Sequence, residues 1–441
     1  MHCSRHFLLL LLIAALPFPL EGNSHCFDHQ IGKYHANSEF VSKTCSQSCT
    51  VMPFFSPDNA LEAHLNLFEE AQESITIVNP TFESWDPTCS HNHNQCTKCC
   101  TGCDISYYRT GEGFPVFAAL LNAINLRNVS IRILTNNYSS TTWPEKATML
   151  DWLAVNNISV RMYKTTYFLH AKYAFIDGGK KTLISSVNYS KTSFMKNRES
   201  GVIISQCSDC ETLKLYQTVF ESDWEIADPY VFDNQYTDDQ LKSMRDPAFY
   251  PYPIVKPPGE RVPDIQTTMA LQDFNDVQIS GYVAPDNARK TFMGSLQNIQ
   301  SKLIVHIYAI TSAKICKEIV DLKNTNGINV TLLVSWNTAG AVKKYTEHCY
   351  RNLTNNGITI RKSSHSFLFS HQKYWIIDDK EVHLSTGNWA ESDFPIGKEW
   401  PPSKAANRDM LVIMQNPSLV KFYGDVFEHD FKLGNDIPGG Q

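Results

Sequence analysis

The apolar positions of this chain change period in a repeating order. From Ser56, the stretch SPDNALEAHLNLFEEAQESITIV sets Leu61, Leu65 and Phe68 at i, i+4 and i+7, one face of a helix, then runs into the apolar SITIV. The stretch from Ala284, APDNARKTFMGSLQNIQSKLIVHI, does the same after the same Pro-Asp-Asn-Ala start. Further on, NVSIRILTNN matches NVTLLVSWN and NNISVRMY matches NNGITIRKS, each a short strand after a helical segment. Asp58 and Asp286 stand where helix N-caps are expected. The matched order makes the chain a tandem repeat. Helices alternating with strands predict an α/β fold: two similar α/β sandwich halves, each a mixed sheet flanked by helices, packed about a pseudo-twofold axis.

The units are then assigned as residues 23–228 for the first half and 269–441 for the second. Residues 229–268, where seven prolines fall between Pro229 and Pro263, form the connection. Residues 1–22 read as a signal peptide, because the apolar run from Phe7 to Leu20 is shorter than the roughly 20 apolar residues a membrane span needs. Its removal would take Cys3 from the 13 cysteines and leave an even number, as disulfide pairing in an oxidising compartment requires. Sequons at Asn128, Asn137, Asn157, Asn188, Asn329 and Asn352 agree with passage through the secretory pathway, to the outside or to a lysosomal or endosomal lumen. With 42% hydrophobic residues and a net charge of −6, the chain is globular and lacks the basic footprint of a tight nucleic-acid binder.

Two of the apolar runs are interrupted by charge. LHAKYAFIDGG carries His170, Lys172 and Asp177, and SHQKYWIIDD carries His371, Lys373 and Asp378 at the same spacing. In a strand, i and i+2 share a side, so each run offers an imidazole and an ammonium to one space. Buried charge of this kind is costly unless it has a task. LISSVN then matches LSTGN, adding Ser186 with Asn188 and Thr386 with Asn388, and NRES matches NRDM, adding Glu199 and Asp409. Converging, these groups suit the oxygens of a phosphodiester: one His attacks phosphorus, the other protonates the leaving oxygen, and the Lys and Asn side chains hold the charge. Ser186 and Thr386 are expected to bind phosphate as well. Glu199 and Asp409 each orient an imidazole by accepting its Nδ1 proton. The scheme uses neither a metal nor a cofactor. Asp177 and Asp378, at the strand ends, are either part of this catalytic set or structural.

The duplicated H-x-K-x-x-x-x-D motif, followed in each copy by a small residue and an Asn, resembles the phospholipase D superfamily from about Ser56 to Phe431. The signal peptide, the sequons and CSDC after the first motif look most like its lumenal or secreted branch. The resemblance implies a phosphohistidine intermediate, with His170 the nucleophile and His371 the acid. It leaves three functions to separate. The first, and the one expected, is release of phospholipid head groups at a membrane surface, as from phosphatidylcholine to phosphatidic acid, towards which the acidic balance and the aromatic SFLFS and YWII lean. The second is 5′ exonuclease action on single-stranded DNA or RNA in a lysosome or outside the cell, and the third is non-catalytic binding of lipid or polyanion. No obligate protein partner is implied.

Other features admit two readings. CSHNHNQCTKCCTGC, Cys89 to Cys103, could bind zinc, although disulfides fit a secreted chain better. Cys207 with Cys210, and Cys316 with Cys349, are candidate bridges. A longer segment after Asn388 carries Trp389, Phe394 and Trp400, which either grip a base or acyl chain or turn inward. Asn188, a sequon inside a pocket, is expected to stay unglycosylated.

Overall fold

The computed structural model describes residues 39–83, 114–136, 144–163, 168–231, 237–245, 269–338, 340–395 and 406–437, with a few isolated residues between them. The signal segment, the Cys89 to Cys103 cluster, Asn137, Trp400 and most of 229–268 lie outside the described residues.

The repeat appears as two sheets of one design. In the first half the strands Ser159–Tyr163, Ser130–Asn136 and Ser74–Val78 run parallel. Tyr173–Ile176, Lys181–Ser185, Glu199–Ser205 and Cys49–Ser56 then follow in antiparallel order. The second half repeats this with Thr359–Lys362, Asn329–Val334 and Lys302–Ile307 parallel, then Lys373–Ile377, Glu381–Ser385, Asn407–Gln415 and Phe274–Ala284 antiparallel. The last strand of each series meets the other, Phe274 opposite Val51 and Val277 opposite Cys49. The matched helices expected from the apolar stripe span Ala60–Glu70 and Ala288–Gln297, with Leu65 and Phe68 buried in the first.

Three apolar clusters hold these layers. Two lie on the outer faces, one per half, around Leu120 and Ile133 and around Leu332 and Trp375. The third is shared: Tyr216 and Phe220 of the helix Glu211–Ile226 pack with Tyr423 and Phe427 of Pro417–Leu433 and with strand residues of both halves. Because this middle layer belongs to neither half alone, removing either one would expose a face of large buried side chains, each contributing roughly 1.5–3 kcal/mol. Gly281 shows how close the approach is. A Cβ there would stand 1.9 Å from the Tyr216 hydroxyl, which donates to the Leu411 carbonyl at 2.6 Å.

Asp58 and Asp286 are not the N-caps expected of them. The cap positions are Asn59 and Asn287, neither of which caps through its side chain. Asp58 instead accepts from Arg198, whose Nε also donates to Asp430 at 2.8 Å. Asp286 accepts from Arg408 at 2.5 Å, and Arg408 donates to Asp223 at 3.1 Å. Each arginine is buried, so its charge needs these carboxylates, and Asp430 and Asp223 come from the opposite half. Cys316 pairs with Cys349 as expected. Cys207 and Cys210 do not pair with each other: the register that sets Thr50 opposite Ser205 brings Cys49 to Cys207 and Cys45 to Cys210.

Candidate active site

The two halves exchange chain where the histidines lie. Phe168 and Leu169 run parallel to Asn407 and Arg408, and the His170 amide donates to the Arg408 carbonyl at 3.1 Å. Reciprocally, the His371 amide donates to the Arg198 carbonyl at 2.7 Å, beside a bridge between Arg198 and Ser370. Each histidine is therefore fixed on the backbone residue just before the other half's carboxylate. His170 Nδ1 lies 3.0 Å from Asp409, and His371 Nδ1 lies 2.8 Å from Glu199. With Nδ1–H donating to a carboxylate, Nε2 carries the free lone pair of a neutral ring. The imidazoles keep 14% and 13% of their side-chain surface, enough for a reacting atom to reach.

The lysines lie behind them. Lys172 and Lys373 are buried and donate to the carbonyls of His170 and His371, the second at 2.7 Å; Lys172 also reaches the Thr386 carbonyl of the opposite half at 3.4 Å. Burial pulls the Lys172 ammonium down to about 8, against the pull of Asp409 and Glu199. Burial also carries Lys373 well below its ordinary value, with Glu199 opposing and Lys172 adding to the fall. The anions of Glu199 and Asp409 favour the charged form of both lysines. Asn188 and Asn388 sit half-buried at this seam, each with a buried Oδ1 that accepts no hydrogen bond among the described residues.

Two expectations need correcting, and one open alternative is resolved. Ser186 and Thr386 do not face a substrate: they are buried and donate to Glu199 at 2.6 Å and Asp409 at 2.7 Å, while accepting from the amides of Ser200 and Met410. Their hydroxyls hold the carboxylates in place. Asp177 and Asp378 belong to no catalytic set. Each stands seven residues past its histidine, roughly 20 Å along extended chain. Asp177 accepts from the amides of Gln72, Glu73 and Ser74, and Asp378 from those of Gln300, Ser301 and Lys302. Their modest burial would raise the carboxyls, but the amides prevail and both are lowered. The aromatic segment after Asn388 turns inward as far as it is described: Trp389 is fully buried, and Phe394 stacks on Phe292 at 4.3 Å.

The residue that sequence reasoning missed is Asp393. It is buried, 3.7 Å from His170 Nδ1, and accepts from the Asn388 amide at 2.9 Å and Asn407 Nδ2 at 3.3 Å. Burial first, then Asp409 beside it, push its carboxyl up to about 7. The signal was a break in the repeat, since Ser193 occupies the matching place five residues after Asn188. His170, Asp393 and Asp409 bring their ligand-type atoms within 4.8 Å of one another, yet Lys172 and Lys373 already direct positive charge at them. Around the histidines, Phe168 is 43% exposed with its ring 6.0 Å from His170, and the Tyr308 ring meets His371 edge-on at 5.0 Å.

Comparison with known proteins gives the family and the fold. The family model described as cardiolipin synthase, phospholipase D-like domain, matches residues 65–224 and 293–431. The phosphatidylserine synthase of Haemophilus influenzae shares the fold, with 11% identity over 88% of each chain and a TM-score of 0.54. Nuc of Salmonella typhimurium, a phospholipase D family member, aligns with 21% identity over 36% of this chain and 97% of its own, at a TM-score of 0.30. No curated protein sequence matches significantly.

Proposed function

The chain belongs to the phospholipase D-like family of phosphodiesterases, and from that premise we propose that it hydrolyses a phosphodiester by double displacement on its two histidines, without a metal. The observation that carries this is the reciprocal pair of imidazoles, each held by the other half's carboxylate in front of a buried lysine. Neutral His170 attacks phosphorus through Nε2, and the bond to the leaving oxygen breaks as His371 gives that oxygen its Nε2 proton. Lys172, Lys373, Asn188 and Asn388 hold the phosphoryl oxygens, the Asn residues through their amide NH₂ groups. In the second step His371 takes a proton from water, the water oxygen bonds to phosphorus, and the bond to His170 breaks. Burial lowers both histidines. His371 is supported in its charged form by Glu199, which suits it to the acid's role.

For substrate, the reading we favour is single-stranded DNA or RNA. Tyr374 and Trp375 are fully buried, so the YWII run gives no apolar track to a lipid. Phe168 presents an aromatic face beside His170, as base stacking requires. The acyl-chain reading keeps one support, Leu368, 39% exposed on the His371 side. The disulfides, with the leader and sequons read from the sequence, support a location outside the cell or in an organelle lumen. The test is turnover of a single-stranded oligonucleotide and of phosphatidylcholine vesicles by purified protein, in EDTA, across acidic and neutral pH. Mononucleotide release with inert vesicles is the expected result. Phosphatidic acid with an inert oligonucleotide would move the assignment to lipid, and loss of all activity in EDTA would overturn the metal-free mechanism.

A further inference from the structure

The two copies of the site differ at a linked pair of positions. The small residue before the catalytic Asn is Val187 in the first half and Gly387 in the second, and five residues after that Asn stand Ser193 and Asp393. The differences are one feature in space. A Cβ on Gly387 would lie 2.5 Å from Asp393 Oδ1 and 2.6 Å from Asp409 Oδ2, so the missing side chain is what lets two carboxyl groups meet. In the first half the matching positions hold Val187, part of that half's buried apolar cluster, and Ser193, whose hydroxyl lies 3.5 Å from Asn197 Nδ2.

The hydrogen bonds show what this does to each histidine's partner. Glu199 receives three donors: His371 at 2.8 Å, Ser186 at 2.6 Å and Asn197 Nδ2 at 3.0 Å. Asp409 receives His170 at 3.0 Å and Thr386 at 2.7 Å, both on Oδ1, and its buried Oδ2 accepts from no donor among the described residues. The amide that would match Asn197, Asn407 Nδ2, goes to Asp393 instead. Two buried carboxyls in contact cannot both ionise without large cost, and a proton between them gives the bare Oδ2 its donor.

We propose that Asp393 is a positioning residue that divides the labour of the two histidines: it shares a proton with Asp409, weakens the anion behind His170 and so keeps His170 the neutral nucleophile, while undivided Glu199 keeps His371 the acid. The inference rests on the two-histidine mechanism above. The directions of titration at the three carboxyls agree with it. Burial and then Asp409 raise Asp393, burial raises Asp409 against the pull of Lys172, and Glu199 is lowered against its burial chiefly by His371. His170 falls well below its ordinary value, through burial and then Lys172, although Asp393 opposes the fall; Lys373 and His371 add to it. These are the charged groups that face the cluster, with Asn407 and Thr386 its neutral neighbours.

The experiment compares wild type with Asp393→Ser, which copies the first half, and with the reciprocal double variant Val187→Gly/Ser193→Asp. Three readouts are taken: infrared absorption of carboxylic acid at pH 6, NMR titration of labelled histidine, and the pH dependence of kcat/KM on bis(4-nitrophenyl) phosphate. Asp393→Ser is expected to lose one carboxylic acid band and to move the His170 titration, and the acid limb of the rate profile, up by about one pH unit. That lowers activity on the acid limb roughly tenfold and leaves the His371 titration in place. The reciprocal variant is expected to gain a band and to move His371 down. An effect that lowers the rate equally at every pH, or an unchanged acid band in Asp393→Ser, would make Asp393 merely structural and overturn the proposal. Trapping the phosphoenzyme separates the two levels. No phosphohistidine on either residue would sink the two-histidine reading, whereas phosphohistidine on His371 in wild type would sink the division of labour alone.

Discussion

The two halves carry the same fold, the same order of strands and the same histidine, lysine and asparagine, yet their carboxylates sit in unlike surroundings. Glu199 is saturated with donors from Ser186, Asn197 and His371, whereas Asp409 faces a second acid across the gap that Gly387 leaves. Where the halves meet structurally the symmetry is kept. Arg198 and Arg408 each bind one aspartate of their own half and one of the opposite half, and each backbone carbonyl receives the other half's histidine amide. The difference teaches that a duplicated scaffold can keep its frame symmetric while small departures at its centre give the two histidines unlike surroundings.

The comparison can be broken most severely at the histidines. His170→Ala or His371→Ala alone is expected to lower kcat on the chromogenic diester by roughly 10⁴-fold or more, with the double variant hardly worse, because residues acting as a unit lose function together. A single variant with near-normal turnover would mean that the halves hold separate sites. Next come the arginines that tie the halves. Arg198→Met and Arg408→Met each leave a pair of buried aspartates without their cation, and each is expected to cost about 3–5 kcal/mol in chemical denaturation. Unequal losses would show that the seam is less symmetric than its hydrogen bonds.

The smallest effect is expected at Asp177 and Asp378. Alanine at either should cost about 1 kcal/mol, as loss of a cap on free backbone amides does, with kcat unchanged. Both carboxyls are lowered in the folded protein, so their contribution is present above the unfolded value near 4 and fades as pH falls through the folded one. Thermal unfolding of each variant from pH 7 to pH 3 checks this: the gap from wild type should close towards acid. A drop in kcat would return these residues to the catalytic set.

Much of this was legible in the sequence because it is written locally. The i, i+4, i+7 stripe of Leu61, Leu65 and Phe68 located the first helix, and the spacing of His170 with Lys172 and His371 with Lys373 located the site. What escaped was set by contacts between distant segments. The pairing of Cys45 with Cys210 depends on strand register, which no spacing reveals. Asp58 reads as a helix cap until Arg198, which lies 140 residues further on, is brought to it. Ser186 and Thr386 look like phosphate ligands because a hydroxyl two residues before an Asn at the site has two possible directions, and only packing chooses between them. Asp393 was readable in principle, as a mismatch between aligned repeats.

The exchange of backbone and carboxylates at the seam also bears on ancestry. A single unit of this design could complete its site only by pairing with a copy of itself, each lending the other its acid. In such a pair every residue facing the axis is present twice, so a serine on one side and an aspartate on the other is forbidden by identity. Joining the two copies into one polypeptide lifts that prohibition: positions 193 and 393, and 187 and 387, become separately heritable, and each can be selected for its own task. Covalent joining is then more than a tether. It is the condition under which a symmetric pocket can acquire a handedness.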